Sequence, residues 1–313
     1  MLIVSRAANS FYDDEFRNFS KYLRPGDCLV LNDTRVFPAR LRGSREGETG
    51  ARIEVLLLRP VNEQENCWKA LVRPGKRARQ GDRIVFSAQL SAEILSQEEF
   101  GERTLQFTAE RPIPELLETL GETPLPPYIH RKPDPSDSER YQTVFAQRTG
   151  SAAAPTAGLH FTPRILDECR AAGAEIAYVT LLVGLGTFAP IRAQQLSEIR
   201  LHEESFELKE GDCEKMRRAK RLVCTGTTSV RAIETALLRV GLVAQRGETE
   251  LFIYPGFRFS GTGAMLTNFH LPKSSLLMLV AAFVGRELAL AAYEHAVRSR
   301  YRFFSYGDCM LIE

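Results

Sequence analysis

The segment GSAAAPTAGLHFTP (150–163) combines small residues, prolines and one histidine, His160, without helical or strand periodicity. Its end has the residue types of a helix start, because Thr162 suits the N-cap and Pro163 the first helical position. Small residues let a backbone approach a ligand closely, and a helix N-terminus favours an anion. The segment is therefore either a ligand-binding loop, with Thr156 as a candidate substrate contact, or an ordinary surface loop before a helix.

A second junction of this kind is GTTS (226–229), which follows the strand-like run LVCTG and precedes a helical pattern. Thr227, Thr228 and Ser229 would place hydroxyls and free amide groups at a helix N-terminus, which suits a carboxylate or a phosphate. Arg231 follows closely. The segment is not a P-loop, because the spacing G-x-x-x-x-G-K-[ST] is absent. Hydroxyl residues also cap helices, so a purely structural role stays open.

Two further histidines lie beside other polar residues. TNFHLP (267–272) carries Asn268 and His270 between a glycine-rich turn and an apolar helix, and LHEESFEL (201–208) carries His202 before Glu203 and Glu204. Histidine can act as a general base near neutral pH, and asparagine can orient a substrate by hydrogen bonds. A loop histidine can equally be structural. The His202 segment is a weak metal candidate, because adjacent ligand types do not define a coordination sphere, and we expect no metal.

A polar turn, Asn32-Asp33-Thr34-Arg35, interrupts the apolar segment LVLNDTRVFPARL (29–41). It has two interpretations. Asp33, Arg35 and Arg40 form either a surface turn whose ion pairs contribute little to stability or a site that presents a carboxylate to a cationic ligand. Asn32 and Arg35 are further candidate substrate contacts.

The composition is that of an ordinary globular protein: 313 residues, 26% charged, with a net charge of +2. Six scattered cysteines include no C-x-x-C pair, which argues against a zinc site and a disulfide scaffold and fits a reducing cytosol. We recognise no signal peptide, and the longest apolar run, LLMLVAAFVG (276–285), is shorter than the roughly 18 residues of a membrane span. We therefore expect a cytoplasmic protein without a membrane partner.

Three clusters of basic residues stand out against the small net charge. Each alone is typical of a solvated surface, but three together favour a polyanionic partner. Their members are Arg73, Lys76, Arg77 and Arg79; Lys215, Arg217, Arg218, Lys220 and Arg221; and Arg298, Arg300 and Arg302.

The pattern of predicted elements indicates two domains. Between 43 and 110, short strand-like runs alternate with Gly- or Pro-bearing turns, which predicts a small all-β domain. From 150 onward, strands alternate with helices, which predicts an α/β layer with a largely parallel sheet. We therefore expect a larger α/β domain (1–42 and 111–313) with an inserted, barrel-like all-β domain (43–110). In the larger domain we predict helices at 163–172, 214–221, 229–241, 274–285 and 286–299, and strands at 175–184, 222–226, 250–255 and 301–312.

Nine segments, in order along almost the whole chain, resemble the S-adenosylmethionine:tRNA ribosyltransferase-isomerase family of queuosine biosynthesis. Several are long and chemically unusual, so a chance match is improbable. They are PGDCLVLNDTRVFPARL (25–41), YQTVFA (141–146), GSAAAPTAGLHFT (150–162), VGLGTFAPI (183–191), LHEESFEL (201–208), GTTSVRAIE (226–234), LFIYPGFRF (251–259), LTNFHLPKSSLLMLVAAFVG (266–285) and YRFFSYGDCMLI (301–312).

The resemblance implies a reaction. S-adenosylmethionine would donate its ribosyl group to 7-aminomethyl-7-deazaguanine at the tRNA wobble position, giving epoxyqueuosine-tRNA, adenine and methionine. It also implies an α/β domain with an inserted barrel-like domain, the anticodon stem-loop of tRNA as partner, and S-adenosylmethionine as co-substrate with no separate cofactor. We expect a monomer.

The implied chemistry needs a base that removes a ribose hydrogen beside the sulfonium, and a partner for the departing adenine. His160, His202 and His270 are candidate bases. Asp33 is a candidate for balancing the sulfonium or the aminomethyl cation. Thr227, Thr228, Ser229 and Arg231 are candidates for holding the methionine carboxylate, and Asn268 for contacting a base edge or a ribose hydroxyl.

Two departures from the family pattern open an alternative. The family has a histidine in the motif V-T-L-H-V-G where this chain has Leu182, and it has an Ile-Ala-Gln-x-Pro segment ahead of the point at which this chain opens, MLIVSR. The alternative is a catalytically impaired relative that still binds tRNA. A third hypothesis is another S-adenosylmethionine-dependent RNA enzyme, such as a methyltransferase. The absence of a G-x-G-x-x-G loop after an early strand argues against it.

Overall fold

The computed structural model describes residues 1–47, 50–62, 66–98, 101–126, 128–129, 131–184, 196, 199 and 201–313. Within these residues the chain forms two compact units. The first, here the α/β unit, comprises Met1–Thr34, Gln142–Arg148 and Ala154–Glu313. The second, here the barrel unit, comprises Arg35–Tyr141 and Thr149–Ala153.

Seventeen strands and seven α-helices are described. The strands are β1 (Leu2–Ser5), β2 (Ser10–Asp13), β3 (Asp27–Asn32), β4 (Thr34–Val36), β5 (Arg40–Arg45), β6 (Arg52–Asn62), β7 (Cys67–Arg73), β8 (Arg83–Ser87), β9 (Leu90–Gln97), β10 (Glu102–Ala109), β11 (Arg148–Ser151), β12 (Glu175–Leu181), β13 (Glu204–Leu208), β14 (Arg221–Thr225), β15 (Gln245–Thr249), β16 (Thr262–Asn268) and β17 (Cys309–Ile312). The helices are α1 (Ile113–Leu120), α2 (Asp137–Arg140), α3 (Pro163–Ala171), α4 (Glu210–Arg218), α5 (Gly226–Arg239), α6 (Ser275–Val284) and α7 (Arg286–Arg298).

The α/β unit is built on a nine-stranded sheet in the order β15-β13-β12-β3-β14-β16-β17-β1-β2. Its four central strands, β12, β3, β14 and β16, run parallel to one another. Antiparallel pairs flank them, β12 with β13 on one side and β16 with β17 on the other. The prediction of a largely parallel sheet is therefore right for the centre. Toward the margins β1 pairs with β17 in parallel, and the other pairs are antiparallel.

Burial explains the placement of the central strands. All six residues of β3 (DCLVLN) are buried, as expected for a strand covered on both faces of a parallel sheet. One apolar cluster packs residues of β3 and β16, such as Leu31 and Leu266, against Ile165 of α3 and Phe19 of a 3-10 helix at Phe16–Tyr22. The sheet is thus the rigid base from which the loops at its edge project.

The barrel unit contains a closed antiparallel barrel in the strand order β10-β7-β6-β5-β8-β9. Alternation of buried and partly exposed residues along β10 is the pattern of a strand with one face in a core. The predicted fold class, an α/β domain with an inserted barrel-like all-β domain, is confirmed. The barrel strands run from Arg40 to Ala109, and the compact unit extends beyond them.

Helix boundaries follow the local signals. The side chain of Thr162 accepts a hydrogen bond from the Ile165 amide as the N-cap of α3, and Ser274 does the same for Leu277 at the start of α6. Gly173 follows α3 with a φ of +86°, the conformation that ends many helices. The predicted N-cap, Thr162, is confirmed.

Other boundaries differ from the prediction. The strand predicted at 250–255 lies instead at β15, Gln245–Thr249. Beyond Thr249 the backbone of Leu251 bonds to side chains: the Thr249 hydroxyl accepts from the Leu251 amide, and the Leu251 carbonyl accepts from Arg231. The helix predicted from 229 begins at Gly226, and the basic helix predicted at 214–221 lies at 210–218. The closing strand is confined to Cys309–Ile312, and the strand predicted at 175–184 ends at Leu181.

No single helix among the described residues is long and apolar enough to cross a membrane. α6 and α7 reach that length and apolar character only when they are taken together, and they meet at a bend of 116°.

Candidate active site

Several of the predicted site residues lie at one edge of the α/β unit's sheet. Asn32, Thr225 and Asn268 are the last residues of β3, β14 and β16, three parallel neighbours, and β12 ends beside them at Leu181. In open α/β sheets, ligands bind outside the carboxyl ends of the parallel strands. This edge is therefore where the fold favours a binding site.

Asn268 connects two of the sequence motifs. Its buried amide oxygen accepts a hydrogen bond from Thr156 Oγ1 at 3.0 Å, and its amide nitrogen lies 3.3 Å from His160 Nε2 and donates to the Phe304 carbonyl at 3.3 Å. Because a carbonyl only accepts, the amide nitrogen must face Phe304 and hence also His160. His160 Nε2 is then an acceptor, and the imidazole is neutral with its proton on Nδ1.

His160 lies at the end of a 3-10 helix, Thr156–His160, that precedes α3. Its ring centroid is 5.1 Å from that of Phe16. Burial lowers the pKa of His160 to about 4, because removal from water penalises the charged imidazolium. The imidazole is therefore uncharged at neutral pH.

His270 is held two residues beyond Asn268. Its Nε2 lies 2.8 Å from Thr267 Oγ1, and its backbone amide donates to the Tyr293 hydroxyl at 3.0 Å. Burial lowers the pKa of His270 to about 4 as well. The strand end at Thr267 and Asn268 thus positions two neutral histidines, one on each residue.

The start of α5 adjoins the same 3-10 helix. Gly226 has a φ of +83°, and a Cβ on it would lie 3.6 Å from Ala157 Cβ. Because α5 begins at Gly226, Thr227, Thr228 and Ser229 lie within its first turn and not ahead of it. Ser229 Oγ donates to the Thr225 carbonyl at 2.7 Å, a bond typical of a helix interior. The proton of that hydroxyl therefore already has a partner.

Two buried hydroxyls at this helix start are unsatisfied. Within the part of the chain that the structure describes, neither Thr225 Oγ1 nor Thr228 Oγ1 has a hydrogen-bond partner. Most buried polar groups are paired, so a pair of unsatisfied hydroxyls beside a helix N-terminus favours a ligand there.

A buried ion pair lies one turn further along α5. Arg231 Nη1 donates to Glu204 Oε2, and Arg231 Nε donates to the Leu251 carbonyl at 3.1 Å. Both side chains are at most 5% exposed. The other terminal nitrogen, Nη2, has no partner among the described residues. Glu204 also accepts from the Gly184 amide at 3.1 Å, and it offsets the charge of Arg231.

The sequence marks Glu204 only as a neighbour of His202. Two adjacent acidic residues, Glu203 and Glu204, do not by themselves indicate which carboxylate points inward. The alternation of buried and partly exposed residues along β13 shows that it is Glu204. Phe304 and Tyr293, which contact the site through a carbonyl and a hydroxyl, had no signal in the sequence.

Asn32 and Asp33 are both buried at the end of β3. The Asn32 amide accepts from and donates to the backbone of Leu181, at 3.0 Å each, and so joins β3 to β12. Asp33 Oδ1 accepts from Thr180 Oγ1 at 2.6 Å, and Lys209 Nζ lies 3.8 Å from Oδ2. Burial raises the pKa of Asp33, which the Thr180 hydrogen bond and the Lys209 charge only partly oppose.

The remaining predicted residues lie on other elements. Arg35 is the exposed middle residue of β4 and belongs to the barrel unit. His202 is half-buried, two residues before β13. Leu182, which replaces the family histidine, donates its backbone amide to the Ser205 carbonyl at 2.9 Å. The motif VGLGTFAPI lies outside the described residues from 185 onward.

The described residues contain no cluster of three or more His, Cys, Asp or Glu side chains that could hold a metal ion.

The chain is similar to known proteins over its whole length. The family model described as "Queuosine biosynthesis protein" matches residues 1–312. A protein of Solibacter usitatus named S-adenosylmethionine:tRNA ribosyltransferase-isomerase is 53% identical, with coverage of 100% of this chain and 92% of that protein. One of the same name from Carboxydothermus hydrogenoformans is 49% identical, with the same coverage.

A solved structure agrees. The crystal structure of the S-adenosylmethionine tRNA ribosyltransferase from Thermotoga maritima matches with a TM-score of 0.54 at 36% identity, and covers 100% of this chain and 91% of that one. The matching family model and the similarity across the full length together show that the chain belongs to the queuosine biosynthesis protein family.

Proposed function

We propose that this chain is an S-adenosylmethionine:tRNA ribosyltransferase-isomerase. It transfers and isomerises the ribosyl group of S-adenosylmethionine onto 7-aminomethyl-7-deazaguanine at the tRNA wobble position, releasing adenine and methionine and leaving epoxyqueuosine-tRNA. The observation that carries the proposal is 53% identity, over the full chain, to a protein of that name. S-adenosylmethionine acts here as a co-substrate, and no separate cofactor takes part. We further propose a cytoplasmic monomer that takes the anticodon stem-loop as its RNA partner.

The start of α5 supports a role in holding the donor. A methionine carboxylate at this helix N-terminus would meet the positive end of the helix dipole and free amide groups of Thr227 and Thr228. It would also satisfy the unpaired Thr228 hydroxyl and the free Nη2 of Arg231. Ser229 lies in the same turn. Glu204 keeps Arg231 charge-balanced and oriented, so the guanidinium does not have to be reorganised when the donor binds.

The histidines support the proton transfer that begins the reaction. The sulfonium acidifies the adjacent ribose hydrogens, and a neutral imidazole removes one of them, leaving an electron pair on carbon. His160 and His270 are both uncharged at neutral pH because burial lowers their pKa values to about 4. His202 is the third candidate. Loss of adenine, bond formation between the aminomethyl nitrogen and the sugar, and epoxide formation with loss of methionine complete the reaction.

Buried polar groups at the strand ends support the remaining roles. Asp33 would balance the sulfonium or the aminomethyl cation, and a nearby cation would lower its raised pKa. Asn268 would contact a ribose hydroxyl or a base edge, or would hold His160 through the bond they share. We keep Asn32, Arg35 and Thr156 as candidate substrate contacts, although the Asn32 amide is already bonded to the backbone of Leu181.

The alternative of a catalytically impaired relative has no support in the comparisons. The matching proteins carry the enzyme's name at 45–53% identity across this whole chain.

The test supplies tRNA that carries 7-aminomethyl-7-deazaguanine together with S-adenosylmethionine. We expect epoxyqueuosine in the tRNA by mass spectrometry of its nucleosides, with adenine and methionine released. His160→Ala and His270→Ala are compared with His295→Ala, a matched control whose ring contacts Asp13 and Tyr301 outside this strand end. A histidine whose removal leaves full turnover is not the base. S-adenosylhomocysteine as the product would instead indicate a methyltransferase and refute the proposal.

A further inference from the structure

The end of β7 and the connection that follows it in the barrel unit, residues 73–79, carry a concentration of positive charge that the α/β site does not use; this segment is here called the cationic loop. Arg73, Lys76, Arg77 and Arg79 are all exposed. Among the residues that the structure describes, none of the four forms an ion pair. Four unpaired cations within seven residues therefore face solvent together.

Nearby carboxylates are engaged elsewhere. Glu54, which lies opposite Arg73 in the pairing of β6 with β7, forms ion pairs with Arg40 and Arg42 instead. Asp82, just beyond the cationic loop, accepts from the Arg79 backbone amide at 2.7 Å, and its carboxylate lies 3.7 Å from Arg45. The loop's own cations are thus left without an internal counter-charge.

The other two basic clusters of the sequence differ in this respect. In each of these two clusters, all members but one form an ion pair with a carboxylate. Arg217 pairs with Glu210, Arg218 with Glu175 and Arg298 with Glu294. Of the three basic clusters that together favoured a polyanionic partner, only the first consists wholly of cations without a carboxylate partner among the described residues.

A buried arginine shapes the cationic loop from beneath. Arg103, on β10, is 2% exposed, and its guanidinium donates to the carbonyls of Gly75 and Ala78 at 3.4 Å each and of Gly101 at 2.9 Å. In the described part of the chain, no carboxylate pairs with it. Arg103 draws the loop's carbonyl groups inward, so the loop's shape is fixed and its charge is increased.

We propose that this loop, 73–79, binds the phosphate backbone of the substrate RNA, with Lys76, Arg77 and Arg79 contacting phosphates. The inference rests on the proposed function for the identity of the partner. A preformed loop of unpaired cations matches a regularly spaced polyanion, because each phosphate contact releases condensed counterions and lowers the cost of binding. A small anion would not need cations spread over seven residues. The loop contributes affinity for RNA and no group to the reaction.

The test compares Lys76→Ala/Arg77→Ala/Arg79→Ala with the matched control Arg217→Ala/Arg218→Ala/Arg298→Ala. Both remove three surface cations, but the control removes only cations that already face carboxylates. Equal melting temperatures establish that both variants are folded. Binding of the tRNA is followed by fluorescence anisotropy from 50 to 400 mM salt.

For the loop variant we expect the affinity for tRNA to fall at least about tenfold at 0.1 M salt. The slope of log affinity against log salt should decrease by about 2, because each of the three lost phosphate contacts contributes roughly 0.7 to it. The KM for tRNA should rise, while kcat and the KM for S-adenosylmethionine remain those of the wild type. A loop variant that binds tRNA with the affinity and salt slope of the control overturns the proposal. Because binding is measured apart from turnover, this result decides the proposal even if the wild type consumes no S-adenosylmethionine, which would refute the proposed function alone.

Discussion

Replacing Asn268 by leucine tests how the site holds His160. Leucine is close to asparagine in volume, but it removes the amide that bonds to Thr156, His160 and the Phe304 carbonyl. Three hydrogen bonds that each contribute roughly 1 kcal/mol give an expected loss of about 3 kcal/mol in the free energy of unfolding. The fold should survive, because the substitution leaves the apolar contacts of β16 in place.

The same substitution should change the protonation of His160 in a defined direction. The amide nitrogen donates to Nε2 only while that nitrogen is unprotonated, so the bond favours the neutral imidazole and lowers the pKa. Losing about 1 kcal/mol of this preference should raise the pKa of His160 from about 4 by about 0.7. The value stays below the ordinary one, because the ring remains buried.

NMR titration of the histidine rings measures this effect, and chemical denaturation measures the stability. Thr156→Val is the matched control, because it removes only the hydroxyl that donates to the amide oxygen of Asn268 and leaves the donor to His160. It should cost about 1 kcal/mol with little change in the pKa of His160. If the pKa of His160 in Asn268→Leu is unchanged or lower, the amide does not donate to this ring and the orientation derived for it is wrong.

Three further predictions follow from buried groups. Glu204→Gln leaves Arg231 buried without a counter-charge and should lower the free energy of unfolding by about 3 kcal/mol. Glu207→Gln, whose partners Arg246 and Arg148 are both largely exposed, should change it by less than about 1 kcal/mol. Glu234→Gln should lower the free energy of unfolding by about 2 kcal/mol. The Glu234 carboxylate accepts hydrogen bonds from the backbone amides of residues 260–262, and the glutamine side-chain NH2 would place a donor against these donors. On acidification from pH 6.5 to about 4, the free energy of unfolding should fall by up to about 3 kcal/mol for each of the two buried histidines, because the unfolded chain takes up protons that the folded chain excludes.

Urea unfolding at fixed pH, and then across the pH range, checks all three. Equal losses for Glu204→Gln and Glu207→Gln would show that burial does not govern the ion pair. Wild-type stability in Glu234→Gln would show that the 260–262 amides find other acceptors. A stability that is flat between pH 6.5 and 4, after subtraction of the same curve for a variant lacking both histidines, would show that neither histidine is excluded from protonation.

Local signals in the sequence predict much of the fold. Thr162 and Ser274 mark helix starts because a side-chain oxygen there satisfies a free amide, which depends only on nearby residues. The barrel follows from short alternating runs and turns. The start of α5 lies three residues before the predicted one, because hydroxyl residues such as Thr227 fit both a cap and a first turn. Gly226, with its positive φ, marks the actual start.

The site is less predictable, because its contacts join distant segments. Thr156 and Asn268 are separated by 112 residues, and no local pattern shows that they share a hydrogen bond. The partner of Arg231 could not be chosen from the sequence between Glu203 and Glu204, since burial of one and exposure of the other depends on the sheet. Residue types and the family resemblance indicate which motifs matter, while the pairing of strands determines which side chains meet.

The most direct test of the account follows the donor's atoms. S-adenosylmethionine labelled in its ribosyl carbons, and separately in its methyl group, is incubated with the protein and with tRNA carrying 7-aminomethyl-7-deazaguanine. The account predicts that the ribosyl label enters the tRNA while the methyl label leaves in methionine, with one adenine released for each modified tRNA. Methyl label in the tRNA, or no transfer of ribosyl label by the full chain, would contradict it.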